Sequence, residues 1–372
     1  MTSNARELAQ IPSTPSGRRN VIINGAQQVA QRATSKADIG ADGAAIHVTD
    51  RMSISCGGLS GRLTMSQDSD SPDGFANSLK FACTSPQTSF DAGDFLWFQT
   101  RIEGQDLQRF CKGTSSAKNF TFSFYVKANS ARTMIAELFD ADNNRHVGKT
   151  FTTTTGWSRI EVDFGADTTG AFDDDGNLSL YVAIWLASGT TYSDGTLQTS
   201  WGSHANGNRN AGGSNFLSST DNTLFITGMQ LEVGSVATEF EHQRYCDVYK
   251  DCQRYYYKSG DNATSSEEWF AGVATNAGKG MYYALAANDL EDRAYPALQW
   301  PVQMRAAPSI TFYPGRSDST ATADRIVRYN DPTLVTFTQS PNPYSNGLTG
   351  YFAGTSLDSP FYAYQIVADA EL

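Results

Sequence analysis

The sequence is poor in charge. Asp, Glu, Lys and Arg make up only 18% of its 372 residues, and no segment clusters Lys and Arg. Binding to nucleic acid or to an anionic membrane surface draws on clustered cations. Neither partner is expected of a chain whose formal net charge is −11. No apolar run approaches the ~18 residues of a membrane-spanning helix, so membrane insertion is not expected. The opening run MTSNARELAQIPSTPSGRR lacks a signal-peptide apolar core, so export by that route is not expected either. Cysteine is scarce and odd in number: Cys56, Cys83, Cys111, Cys246 and Cys252 form no C-x-x-C pair. That pattern speaks against a disulfide framework or a zinc site. It fits free thiols, mostly buried, in a reducing cytoplasm.

Signatures of catalysis and cofactor binding are missing too. No G-x-S-x-G occurs, so an esterase elbow is absent. GVATNAGKG (272–280) has five residues between its glycines, and Gly280 stands where a phosphate loop needs Ser or Thr. His47, His146, His204 and His242 lack H-x-x-x-H spacing. Two carboxylate runs invite a calcium reading, DADNNR (140–145) and DDDGN (173–177). With Gly176 as the sixth residue of an EF-hand loop, Ala171 and Val182 fall at positions one and twelve. With Asp140 as the first, Arg145 takes the glycine position and Phe151 the bidentate glutamate's. Both runs are therefore read as polar hairpin turns. No metal and no cofactor is expected.

What the chain has in quantity is Gly, Thr, Ser, Asn and aromatic residues, the composition of β-strands and turns. Phe120, Phe122, Phe124 and Val126 alternate with Thr121, Ser123 and Tyr125. Ile160, Val162 and Phe164 alternate with Arg159, Glu161 and Asp163. Period-two alternation with one apolar side predicts antiparallel strands on a single core, over about Val21 to Phe240. Residues 190–219, rich in Gly, Ser and Asn, read as a long surface loop. Glu241 to Gln253 reads as a short linking helix. Beyond it, alternation at Trp300–Met304, Ile310–Phe312 and Tyr362–Ala368 predicts a second set of strands. The expected fold is all-β: two antiparallel β-sandwich, jelly-roll-like domains behind a short N-terminal arm. The boundaries are 1–19 for the arm, with a helical turn or two at Ser3–Gln10, then 20–245 and 246–372.

Several runs resemble those of bacteriophage tail-fibre proteins, particularly of marine phages. They include GRRNVIINGAQQVAQRATS (17–35), FQTRIEGQDLQRF (98–110), NFTFSFYVKAN (119–129), TTGAFDDDGNLSLYVAIWLASGTTYSDGTLQTSWG (168–202), ITGMQLEVGSVATEFEHQRY (226–245), CQRYYYKS (252–259), WPVQMRAAPSITFY (300–313) and the closing ADAEL. The resemblance covers nearly the whole chain in order. It implies a carbohydrate-binding-module-like jelly roll followed by a fibre-tip-like domain, in a homotrimeric virion protein that attaches to host cell-surface glycan. Long fibres of this kind carry an anchoring domain and a shaft before such modules, whereas Met1 lies only 19 residues ahead of them here. A capsid or tail decoration of purely architectural role is the alternative, and a polysaccharide depolymerase the weaker one. No internal repeat of the kind that builds large depolymerase folds is visible, so catalysis is not expected.

Candidate site residues follow. In FDDDGNLSLYVAIWLASG (172–189), Leu178, Leu180, Val182, Ile184 and Leu186 share the core face of one strand. Tyr181 and Trp185 share the other with Ser179 and Ala183. Such a face either stacks sugar rings or is covered by a loop, the other domain or a sister subunit. Tyr192 and Trp201 flank the Gly/Ser-rich loop as further glycan candidates. Trp97 reads as core and Trp157 as structural. Arg6, Leu8, Arg18 and Arg19 in and beside the arm are the candidates for attachment to other virion proteins.

Overall fold

The computed structural model describes residues 18–40 and 43–259. Beyond them it describes 282–286, 293–296, 298–313, 325–328, 334–336, 341–349, 351–353 and 361–372. Arg6, Leu8 and the helical turn expected at Ser3–Gln10 lie outside the described residues. Two compact units divide between Tyr245 and Cys246.

The first unit packs two antiparallel sheets face to face. One has six strands in the order β1 (Ser35–Ile39), β4 (Arg62–Asp68), β5 (Ser78–Ser85), β13 (Thr223–Val233), β7 (Phe120–Ala128) and β10 (Ser158–Asp163). The other has seven: β12 (Gly202–Ser203), β9 (Arg145–Thr152), β8 (Thr133–Asp140), β11 (Leu178–Ser188), β6 (Phe95–Glu103), β3 (Met52–Gly57) and β2 (Gly43–His47). The alternation expected at 120–126 is met, since Phe120, Phe122, Phe124 and Val126 are all buried in the shared core. They meet Leu180, Val182, Ile184 and Leu186 from the opposite sheet in that core. Phe110 stacks on Phe120 with centroids 4.0 Å apart and rings 2° from parallel. Each such side chain contributes about 1.5–3 kcal/mol by leaving water, so this core, rather than any strand's own propensity, holds the sandwich together.

Two expectations for this unit need correction. Val21 to Gln31 is not a strand. Asn24, at φ +61°, takes hydrogen bonds from the backbone N–H groups of Gln28 and Val29 and donates to the carbonyls of Val29 and Asp50. A buried side-chain amide thus replaces the sheet ladder, as Asn in the left-handed region can. Residues 173–177 form no hairpin either. They close the connection that carries the chain from β10 in one sheet to β11 in the other. The run at 140–145 does form a hairpin turn, between β8 and β9, with Asn144 at φ +50°.

Helix α1 (Tyr245–Gln253) buries Val248 and Cys252. In the second unit the long strand β23 (Phe361–Asp369) is central. Its first half pairs with β15 (Tyr282–Ala286) and β18 (Arg325–Arg328), and its second half with β14 (Tyr256–Lys258) and β17 (Ser309–Tyr313). Strands β16 (Arg293–Pro296), β19 (Leu334–Thr336) and β22 (Phe352–Ala353) extend the sheet, and β20 (Asn342–Tyr344) and β21 (Gly347–Thr349) form a separate hairpin. Trp300 to Met304 is not a strand, because Pro301 removes a ladder donor. Trp300 and Met304 instead bond through their backbone N–H groups to the carbonyls of Asn346 and Ser345, and both side chains join the second core.

Candidate functional site

Strand register decides which side chains share the outer face of the seven-stranded sheet. Tyr181 on β11 pairs with Arg101 on one side and Phe139 on the other. Ala183 pairs with Gln99 and Glu137, and Trp185 with Trp97 and Ile135. On β9, His146 stands opposite Phe139 and Gly148 opposite Glu137. On β3, Ser53 stands opposite Gln99 and Ser55 opposite Trp97. The face therefore carries three rows, with aromatic residues in the outer two and Gln99, Ala183 and Glu137 between.

Residues 190–219 lie over part of this face, held by backbone bonds to both sides of it. Thr191 N–H donates to Ala92, Gly148 N–H to Gln198, His204 N–H to Asn144 and Ser214 N–H to Thr133. Arg209, the only Lys or Arg in the segment, bonds Glu137 twice, Nε to Oε1 at 2.9 Å and Nη2 to Oε2 at 2.8 Å. Its guanidinium also lies 5.1 Å from the Trp97 ring centre, 4.9 Å from Trp185 and 5.1 Å from Phe139. Glu137, fully buried, accepts further bonds from Trp185 Nε1 at 3.0 Å and His146 Nδ1 at 3.1 Å. Burial pushes its pKa up, but the Arg209 charge and the bonds from His146 and Arg209 outweigh this and bring it down to about 2. His204, edge-on to His146 and Phe139, is shifted down by burial and by the Arg209 and His146 charges.

The candidates from sequence divide accordingly. Trp185 is only 1% exposed. Its ring lies under Tyr192 and Arg209, so the covering loop, not solvent, occupies its face. Tyr181 is half-buried at the margin of the loop, beside Phe139 and with Arg101 5.4 Å from its ring centre. Tyr192 is half-buried and packs edge-on to Phe95 and Trp97. Trp97 is not core as expected. Its side chain points outward, half-buried, stacked on Phe95 at 4.5 Å, with Nε1 donating to Gln99 Oε1 at 2.8 Å. Gln99 Nε2 in turn donates to Ser55 Oγ at 2.9 Å. Trp201 stands apart from this group. It packs against Phe120 and donates to the Gly165 carbonyl, closing the sandwich end. Trp157 lies by the six-stranded sheet, bonded to Asp70. Arg18 and Arg19 are tied into the first unit: the Arg18 carbonyl accepts from Arg109, and Arg19 N–H donates to Glu241.

Sequence reasoning missed Glu137, Arg209 and Lys112. A lone arginine in a Gly/Ser/Asn-rich run, and a lone outward carboxylate in TMIAELFD, were the available signals. Lys112 is buried, with Nζ 2.5 Å from Asp140, 3.1 Å from Asp167 and 2.9 and 2.7 Å from the carbonyls of Thr169 and Gly170. The carboxylates near the 140–145 turn thus surround a protein ammonium. Among the described residues, no group of three or more His, Cys, Asp or Glu could hold a metal ion.

No family model matches this chain, and no curated protein matches it. Solved structures similar to it include the enzymatically active domain of bacteriophage CBA120 tailspike protein 4, at 11% identity and TM-score 0.31. That match covers 57% of this chain and 21% of the other. A family 4 carbohydrate-binding module aligns at 13% identity and TM-score 0.28, over 56% of this chain and 97% of the module. A family 11 carbohydrate-binding module from Clostridium thermocellum, in complex with a β-1,3-1,4-mixed-linked tetrasaccharide, aligns at 15% identity and TM-score 0.26, over 57% of this chain and all of the module. Likeness at this level defines neither a ligand nor a reaction.

Proposed function

We propose that the chain is a glycan-binding protein of a phage virion, a tail fibre or short fibre that attaches the particle to the surface of its bacterial host. One observation carries the binding reading. Half-exposed rings of Trp97 and Tyr181 on one sheet face, and of Tyr192 in the segment over it, stand near Arg101 and Ser55, with Arg209 of that segment bonded to the buried Glu137 between the aromatic rows. Aromatic rings bury the C–H faces of sugars while neighbouring polar groups take their hydroxyls. Rings already fixed by packing lose little entropy on binding. Glu137, the carboxylate between the aromatic rows, is saturated by four hydrogen bonds. With a pKa of about 2 it stays ionised at neutral pH and cannot serve as a general acid. A homotrimer would present three copies of a weak site and gain avidity from their simultaneous engagement, with residues 1–19 holding the chain to other virion proteins.

The test is labelling of host cells, and of arrayed bacterial surface polysaccharides, by the purified chain. Tyr181→Ala should abolish labelling, whereas Trp157→Ala, by the opposite sheet, should not. A folded protein that labels neither cell nor glycan overturns the binding reading. Deletion of residues 2–16 should remove the chain from virions while leaving cell labelling intact. Normal incorporation of the deleted chain overturns the attachment role of that segment.

A further inference from the structure

We infer that residues 198–208 form a strap that acid releases: it closes the outer edge of β9 while His204 is neutral and lifts when His204 takes a proton, with the sandwich beneath left folded. On one side β9 pairs with β8. On its other side the strap alone supplies β12, where Gly202 and Ser203 stand opposite His146 and Arg145. The strap adds bonds at both ends of that pairing. Gly148 N–H donates to the Gln198 carbonyl at 2.7 Å, Gln198 Nε2 to the His146 carbonyl at 2.8 Å, and His204 N–H to the Asn144 carbonyl at 2.9 Å.

The His204 ring is seated edge-on to Phe139 and His146, with centroids 5.1 and 5.7 Å away. The Asn206 side chain bonds to the ring. Nε2 is buried and has no hydrogen-bond partner among the described residues. A neutral imidazole leaves only a lone pair there, whereas an imidazolium needs an acceptor for an N–H. Nothing nearby balances the added charge. The charged and titratable groups acting on His204 are Arg209 of its own segment, His146 of β9 and Glu137 of β8. Glu137, the one carboxylate, already accepts from Arg209 twice and from His146 and Trp185. Burial, then Arg209 and His146, hold His204 below its ordinary pKa against the opposite pull of Glu137 and Asn206. A lifted ring regains the ordinary value of ~6.5, so protons bind better to the lifted strap. The strap is held in full above about pH 7 and loosens as pH falls through ~6.5 toward the seated value. Glu137, with a pKa of about 2, stays ionised throughout and keeps Arg209 anchored, which confines the release to the strap. Lifting leaves the N–H and C=O groups of β9 as an open sheet edge.

The experiment is hydrogen exchange of the full wild-type chain from about pH 7.5 to about pH 4.5, read by mass spectrometry and normalised to the intrinsic exchange rate at each pH. Peptides covering 198–208 and 145–152 should lose protection severalfold in acid, while 120–128 in the opposite sheet keeps its own. His204→Gln, which takes no proton, should remove the dependence. Protection of the strap that is equal at both ends of the range, or a loss shared equally by 120–128, overturns the release. A loss that persists in a folded His204→Gln chain overturns the role of His204. The wild type also decides without the variant: the imidazole carbon-13 signal of His204 should titrate together with the loss of protection, and a midpoint at or above ~6.5 overturns the inference.

Discussion

Replacing Lys112 by Met should unfasten one end of the first sandwich. The ammonium is buried among two carboxylates and two carbonyls, with the rings of Phe172 and Trp201 5.1 and 5.4 Å away. The two carboxylates differ in what they keep. Asp167 retains Arg145, whose Nε and Nη2 lie 2.8 and 2.9 Å from it. Asp140, fully buried, retains only the backbone and side-chain N–H groups of Asn143. Met fills much of the lost volume, so the cost is mainly that of an uncompensated buried carboxylate, about 3–5 kcal/mol. For a unit of this size each kcal/mol lowers the melting temperature by about 2–4 °C, so a fall of roughly 6–20 °C is expected. The assay is calorimetric unfolding of the full chain, with Lys112→Met/Asp140→Asn as the second corner of a mutant cycle. The double variant should recover a sizeable part of the loss, because an amide carries no charge to strand. Acid supplies a second arm. Burial raises the Asp167 carboxyl, but Arg145, the Thr169 N–H and Lys112 hold it below its ordinary value. A depressed carboxylate stabilises above its unfolded pKa and loses that contribution as pH falls, so the gap between wild type and Lys112→Met should narrow in acid. A fall under about 2 °C, or a double variant less stable than the single one, would refute the reasoning.

Glu137 gives a related pH dependence. With a folded pKa of about 2 against an ordinary ~4.3, it contributes roughly 3 kcal/mol above pH 5, lost as pH falls toward 2. A melting temperature that does not fall between pH 5 and 2.5 would contradict this. Arg209→Ala should strand Glu137 beneath the loop and expose 190–219 to protease, read as new cleavage within that segment by mass spectrometry. Gly228 sits at φ +60° in the bulge of β13, where a Cβ would lie 2.7 Å from the Phe75 ring. Gly228→Ala should therefore destabilise by at least the ~1–2 kcal/mol of the left-handed conformation, as measured by chemical unfolding. Chelation of divalent cations should leave the melting temperature unchanged, since a protein ammonium neutralises the Asp140 and Asp167 carboxylates.

The strands of the first unit were legible because each is one-sided. FTFSFYVKA and LSLYVAIWLAS state their inner face by alternation, and the pairing of β7 and β11 into opposite sheets follows from burying those faces against each other. Alternation cannot say what covers the outer face. Tyr181 and Trp185 have the same parity on the same strand, yet one is half-buried and the other lies under Arg209, which comes from a segment with no periodicity at all. Trp97 was misjudged for the complementary reason. In FLWFQTRIE every second residue from Leu96 points inward, and an apolar residue at either parity looks equally like core until the partner strand is known. The NVIINGAQQ turn was hidden because its order comes from the Asn24 amide, not from hydrophobic pattern.

Where the chain enters and leaves the first unit bears on what that unit can display. The Glu241 carboxylate accepts from the backbone N–H groups of Arg19 and Asn20, both at 2.8 Å, and the Asn20 side chain bonds to Met229 and Leu231 of β13. Both chain crossings therefore lie at the six-stranded sheet, while Tyr181, Trp97 and Tyr192 stand on the outward face of the seven-stranded one. Under the proposed glycan reading, Tyr181→Ala lowers glycan affinity and leaves the oligomer intact. If instead the outward face were an assembly surface, Tyr181→Ala would weaken the oligomer, and its sedimentation would change before its glycan affinity did.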